Sequence, residues 1–237
     1  MIVSANQPYF APFPGFFHKA FLSDIVVILD TVQFPRGTTW ISRNRFKNDQ
    51  GTLWMTIPVW KKGLGLQKID RVRICWEGRW AKKHLASLSD AYANAPYFRD
   101  HRDFLEKIFS SGMNRLVDLN LEMITYLLKV LQIDTKVIRL SELGIEATGD
   151  QLLLEICKMT GASHFLAQKP AGKYHNPELF QRKGIQLKYF SAPIPVYPQL
   201  WGNFIPNLSV LDLIFNCGPK ARELLVTVQG SGFKVQR

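Results

Sequence analysis

Ile2-Val3-Ser4-Ala5 and Ile25-Val26-Val27-Ile28-Leu29 are two short apolar runs, separated by a loop that carries Pro8, Pro12, Pro14 and Gly15 and by residues 16–22, which read as a short helix. A strand covered on both faces needs such an unbroken apolar run, and two of them joined through a loop and a helix make a parallel β-α-β unit. Moving outward, the same rhythm returns only after residue 135, as strand 135–140, helix 150–160, strand 164–167, helix 177–183 and strand 185–189. Thr148-Gly149-Asp150-Gln151 has the spacing of a capping box with Gly161 at the exit, and Asn176-Pro177 opens the next helix, which Gly184 closes. Five strands alternating with helices predict an α/β fold built on an open parallel sheet of Rossmann-like topology, with helices on both faces.

The middle of the chain breaks this rhythm. Residues 38–46, 53–59 and 69–76 are short, aromatic and β-branched, with turns at Asn48-Asp49-Gln50-Gly51 and Lys62-Gly63-Leu64-Gly65, and read as an inserted antiparallel meander. Period-two alternation places Thr39, Ile41, Arg43 and Arg45 on one face of its first strand and Arg71 with Arg73 on one face of its third. Helices are expected at 80–94, 102–109 and 115–131, the last with Leu116, Leu119, Met123, Leu127 and Leu131 on one stripe. Asn207 is placed to cap a helix over 208–216, ended by Cys217-Gly218-Pro219; a final helix spans 220–227 and residues 230–237 read as a frayed tail. We read residues 1–237 as one domain, with 36–112 as the basic meander and helices inserted in it.

The 237 residues carry 30 Lys and Arg against 19 Asp and Glu, a net charge of +11. Between Arg36 and Lys83 twelve basic residues face three acidic ones, so most of the excess sits in the insertion and predicts an anionic partner. Every apolar stretch is interrupted well short of a membrane span, and the opening residues lack the basic and apolar regions of an export signal, so a cytoplasmic protein is expected. Cys75, Cys157 and Cys217 form no C-x-x-C pair and read as buried thiols. His18, His84, His101, His164 and His175 show no metal-binding spacing, so no metal is expected. P-loop, G-x-S-x-G and G-x-G-x-x-G motifs are absent, which argues against serine hydrolases, P-loop ATPases and simple dinucleotide binders.

Ligands of parallel α/β sheets bind beyond the carboxyl ends of the strands, which singles out Gln7, Tyr9 and the rest of the first loop, then Asp30 and Gln33 after the second strand. Asp30 is the leading acid–base candidate. Arg36, Trp40, Arg43, Asn44 and Arg45 combine guanidinium groups, an aromatic plate and an amide, a set suited to a nucleotide, a sugar phosphate or an RNA backbone. His84 shares a helix face with Trp80, Leu88 and Tyr92, and Ser209 and Asp212 open the helix near the C-terminus, where capping competes with ligand binding.

Gln7-Pro8-Tyr9-Phe10 with Pro12 and Gly15, Leu29-Asp30 with Val32-Gln33-Phe34, Trp40-Ile41 with Arg43-Asn44-Arg45, Pro58-Val59, His84, Tyr197-Pro198-Gln199 and the segment from Phe204 to Gly218 resemble the WbqC-like family over nearly the whole chain. That family is found among surface-polysaccharide (O-antigen) genes, and the resemblance implies transfer of a glycyl or other aminoacyl group onto an amino sugar. The chain departs from the family pattern at Asp30-Thr31, Ala167-Gln168 and Tyr174-His175-Asn176. A more distant resemblance to the nucleotidyltransferase superfamily implies its sheet topology, although Phe13-Pro14-Gly15-Phe16 stands where that superfamily has H-x-G-H.

On the transferase expectation, Arg36, Arg43 and Arg45 hold an anionic acyl donor or nucleotide, Asp30 or His84 takes the proton of the attacking amine, and Gln7, Tyr9, Gln33, Trp40, Asn44, Ser209 and Asp212 bind or orient substrate. No separate cofactor is expected. The acceptor is a nucleotide-linked or lipid-linked sugar, with tRNA as one form of aminoacyl donor and peripheral membrane contact compatible with the charge. The alternatives are a non-catalytic protein that binds nucleic acid or an anionic surface, and a nucleotidyltransferase-like enzyme.

Overall fold

Val3 and Ile25 to Ile28 are buried because helices cover both faces of the two strands that carry them, β1 (Ile2–Asn6) and β2 (Ile25–Ile28), joined through α1 (Pro14–Phe21). The two strands are parallel, with Val3 opposite Ile25 and Asn6 opposite Ile28. In the computed structural model, residues 1–169, 175–192 and 194–227 are described. After β2 the chain leaves the sheet for an antiparallel hairpin, β3 (Arg43–Asn48) and β4 (Gly51–Thr56), then α2 (Trp80–Tyr92), α3 (Arg102–Ser110) and α4 (Leu116–Val130). It returns with β5 (Lys136–Arg139), α5 (Leu140–Leu143), α6 (Gly149–Thr160), β6 (His164–Gln168), α7 (Pro177–Arg182) and β7 (Gln186–Phe190), and closes with α8 (Val210–Cys217) and α9 (Lys220–Val226).

The sheet is parallel throughout, in the order β5-β2-β1-β6-β7. The connection direction therefore reverses between β1 and β6, the place near which open α/β sheets take ligands. On one face Val26 and Ile28 pack with Phe16 and Phe17 of α1 in a core that extends through the hairpin, α2, α3, α4 and α8. On the other, Val3, Val27 and Phe165 pack against Leu153 and Ile156 of α6 and Phe180 of α7. Among the described residues, no helix is long and apolar enough to cross a membrane.

The insertion is less regular than expected. Its first strand begins at Arg43, because Thr39 to Ser42 form a turn in which the Ser42 N–H donates to the Thr39 carbonyl at 3.2 Å; Thr39 and Ile41 are buried ahead of the strand and do not extend the Arg43–Arg45 row. The third strand does not form. Ile69–Arg71 is a single 3-10 turn, and the strand pairing of this segment is reduced to isolated bridges, Gln33 to Lys68, Val59 to Ile74 and Arg73 to Arg115. Arg71 and Arg73 thus share no strand face, and both are exposed. Thr148 makes no side-chain cap, since Gln151 donates to Glu155 instead and Asp150 is engaged elsewhere; Asn176 caps α7 as expected, accepting from the Glu178 N–H at 3.1 Å. Ser209, not Asn207, caps α8. Cys157 and Cys217 are buried, whereas Cys75 is only half-buried. Tyr174 and the tail 230–237 lie outside the described residues.

Gly218 ends α8 at φ +51, and a Cβ there would lie 2.5 Å from the Tyr97 ring. Gly218→Ala is expected to lower the unfolding free energy by about 2 kcal/mol, from left-handed strain and the aromatic clash together. Urea unfolding measures it; an unchanged midpoint would show that Tyr97 yields freely.

Candidate functional site

Asp30 closes the carboxyl end of β2, but as a brace. Its Oδ1 accepts from the Ser141 N–H at 2.9 Å and its Oδ2 from the Ser141 hydroxyl at 2.6 Å, so the carboxylate ties β2 to the start of α5. The backbone continues the brace: the Asp70 N–H donates to the Asp30 carbonyl at 2.8 Å, and the Ile69 N–H to that of Val32 at 3.0 Å. Residues 66–70 are thereby laid across the end of β2, and Leu66, Gln67 and Lys68 among them form one wall of a cleft of about 610 Å³. Thr31, Gln33 and Lys68 line this side of it, and Leu140, Thr148 and Gly149, at the start of α6, line the other. A smaller hollow of about 320 Å³ shares Leu66 and Gln67 with the cleft and adds Arg36 and Lys61. The result is a groove at the carboxyl edge of the sheet with three cations and one carboxylate, Glu146, along it and the first N–H groups of α6, left without a side-chain cap, at one end, an arrangement whose balance favours an anion.

The remaining predicted residues fall into two other groups. Trp40 and Trp54 face each other across the hairpin surface at 5.8 Å between rings, and the Arg43 guanidinium lies 3.6 Å over Trp54. Arg45 stands beside both rings and donates to the Pro206 carbonyl at 3.2 Å and the Asn207 carbonyl at 3.0 Å. Both arginines are therefore engaged within this patch. On the inward face Asn44 donates to the Phe10 and Ala11 carbonyls at 2.9 and 2.6 Å, which fastens the first loop to the hairpin. Tyr9 packs on Phe13 and Phe16 in that loop, with burial pushing its hydroxyl pKa up, and Gln7 is half-buried at the loop's start.

In the second group Ser209 and Asp212 are buried and His84 is half-buried. Asp212 accepts from the Tyr92 hydroxyl at 2.6 Å and the Tyr197 hydroxyl at 2.8 Å, while Ser209 caps α8 by accepting from the Leu211 N–H. Burial raises the Asp212 pKa against the opposing pull of the two phenols. His84 donates through Nε2 to the Thr56 carbonyl at 2.9 Å, edge-on to Trp80 and Phe109, and burial lowers its pKa. Among the predicted residues, the structure brings Gln33 and Arg36 to the groove, gathers Trp40, Arg43 and Arg45 on the hairpin, and sets Asp30, His84, Asn44, Ser209 and Asp212 in bracing contacts.

Two arrangements at the same sheet edge were not anticipated. His175 Nδ1 lies 2.7 Å from Asp150 Oδ1, and Asp150 Oδ2 accepts from the Asn176 N–H at 2.8 Å, so the start of α6 holds the chain that leads into α7. Lys19 is buried beneath the end of β1 and bonded to Ala5 and Asn6. A lysine inside the apolar octet Pro14–Phe21 was the available signal, although a helix of that length gives little indication of which face a long side chain takes. Among the described residues, no group of three or more His, Cys, Asp or Glu is arranged as a metal site.

The model of the WbqC-like protein family matches residues 7–224. An uncharacterized protein of Mycobacterium tuberculosis is 30% identical over 226 residues, which cover 94% of this chain and 96% of the relative. No solved structure matches the chain. With the first loop, the hairpin and α8 all inside the matched span, the chain belongs to the WbqC-like protein family.

Proposed function

We propose that the protein is a transferase of surface-polysaccharide biosynthesis that moves an acyl or aminoacyl group from an anionic activated donor onto the amine of a nucleotide-linked or lipid-linked sugar. The observation that carries this reading is the groove at the carboxyl edge of the sheet, where Lys68 lines a cleft of about 610 Å³ that opens on the start of α6, and Arg36 and Lys61 line the hollow beside it. Its size suits a nucleotide or a coenzyme-like donor, and its place is where open α/β sheets take ligands. Thr31 and Gln33 supply the hydroxyl and amide that a sugar or ribose requires. The donor's grip thus shifts from Arg43 and Arg45 to Lys68, Arg36 and Lys61.

A second reading, a protein that binds nucleic acid, is favoured by the Trp40–Trp54 pair with its stacked guanidinium, a platform for bases. Ligand panels separate the two. A nucleotide sugar or acyl donor at about 100 times its dissociation constant stabilises by roughly 2.7 kcal/mol. Lys68→Ala is expected to weaken that ligand about tenfold, and Trp54→Ala to leave it unchanged. A shift given only by polyanions, abolished by salt and by Trp54→Ala, would replace the transferase with a binding module.

A further inference from the structure

Asn6 and Lys19 meet at the carboxyl end of β1, the central strand, beside the point where the strand order reverses. Lys19 Nζ donates to the Ala5 carbonyl at 2.7 Å and to Asn6 Oδ1 at 3.1 Å. A neutral amine has two hydrogens and a lone pair; an ammonium has a third hydrogen, and no third acceptor among the described residues takes a bond from Nζ. The bond to Oδ1 also fixes the Asn6 amide, whose Nδ2 is buried without a partner. The pair therefore offers one unused donor and, on the neutral lysine, one unused lone pair. The start of α1 packs closely against the chain just beyond β7, since a Cβ on Gly15 would lie 2.6 Å from the Ala192 Cβ.

We propose that this pair is the reacting centre of the transferase: Lys19 takes the proton of the attacking amine, and Asn6 Nδ2 donates to the donor's carbonyl oxygen as negative charge builds there. The proposal rests on the transferase reading above. The acceptor nitrogen bonds to the acyl carbon and its proton passes to Nζ. The adduct then breaks the bond to the leaving group, which departs with both bonding electrons, and Lys19 returns its extra proton to that anion or to water. β1 is the neighbour of β2, with Asn6 opposite Ile28, so this centre lies one strand spacing, about 4.8 Å, from the strand whose end adjoins the groove.

The environment keeps the lysine ready for this role. Burial pulls its pKa down to about 7. The ionisable groups on the surrounding elements are engaged elsewhere: His18 of α1 with the Leu225 carbonyl, Asp30 after β2 with Ser141, and His164 at the start of β6 with Ser163, while Lys169 beyond β6 is exposed.

Methyl acetyl phosphate, a small anionic acyl donor, tests the site in the full-length protein, read by peptide mass spectrometry across a neutral-to-alkaline pH series. Lys19 is expected to be acetylated about tenfold or more faster than the exposed Lys83 and Lys158 at neutral pH, because burial leaves about half of its amine unprotonated there. The labelling midpoint should fall near 7. Lys19→Met should remove the fast site alone. An unlabelled Lys19 beside labelled Lys83, or a Lys19 midpoint equal to that of Lys83, would overturn the proposal. Failure of the transferase reading shows separately: fast labelling that no nucleotide sugar or acyl donor slows would leave the low-pKa amine in place and remove its role in acyl transfer.

Discussion

Lys19→Met is expected to raise the unfolding free energy by about 3 kcal/mol at neutral pH and to give no gain near pH 10. In the unfolded chain this amine titrates near 10.4, and in the folded protein burial brings it down to about 7. Between those values the unfolded state holds a proton that the folded state lacks, so the wild-type protein gains stability as pH rises through the window. At about 1.36 kcal/mol per unit, the full window is worth about 5 kcal/mol, of which about 4 kcal/mol is felt at neutral pH, and methionine escapes that cost. The loss of the two hydrogen bonds to Ala5 and Asn6 takes back about 1 kcal/mol, and is all that remains once the lysine is neutral in both states. Tyr9, Tyr92 and Tyr197, whose pKa values burial raises, titrate in both proteins and cancel in the difference. Urea unfolding of the two proteins at neutral and alkaline pH gives the number; two curves that stay parallel across the window would mean that Lys19 keeps an ordinary pKa.

A methionine that stabilises the fold makes the lysine a cost at neutral pH. Groups held in the wrong protonation state by burial, at a place where ligands bind, are the pattern of reacting sites. Structural need is a weak account of Lys19, since the carbonyl of Ala5 at a strand end can be met by water or by a neutral donor. A stabilised Lys19→Met variant that has lost fast acetylation would join the two results in one residue.

The sheet was legible because its signal is local. Ile25 to Leu29 admits no other element, and the stripe from Leu116 to Leu131 on α4 needed only helical periodicity. The third strand of the meander fails for the opposite reason: residues 69–76 have strand composition, but a strand needs a continuous partner edge, and their backbone bonds are divided among Asp30, Val32, Asn114 and, near 58–60, only Pro58 and Trp60 of the expected partner. Asp30 shows where site prediction stops. Its position after β2 was read correctly, whereas its occupation by Ser141, 111 residues away, depends on the pairing of β2 with β5. Lys19 was hidden differently, because no pattern in its helix reveals that the end of β1 lies directly under the side chain.

Asp212→Ala is expected to cost about 4 kcal/mol, as much as the loss of one partner from a buried charged network. Its carboxylate is 1% exposed and holds two phenols, Tyr92 from α2 and Tyr197 from the segment before α8. Without it both hydroxyls stay in the core unpaired as donors, at about 1 to 3 kcal/mol each. Tyr92 also accepts from the Lys47 N–H at 3.1 Å, and the Lys47 ammonium, buried and bonded to Gln199 and the Asn203 carbonyl, loses the nearby charge that offsets its own desolvation. The damage should therefore spread from α8 to the hairpin. Asp212→Asn keeps one acceptor and should cost about half as much, and Tyr197→Phe on the alanine background should add little, since the bond it removes is already gone. Urea unfolding of the four proteins measures this coupling. The same series decides the residue's role: a brace lowers stability and leaves donor affinity intact in the folded fraction, whereas a substrate-binding carboxylate would show full stability and lost affinity.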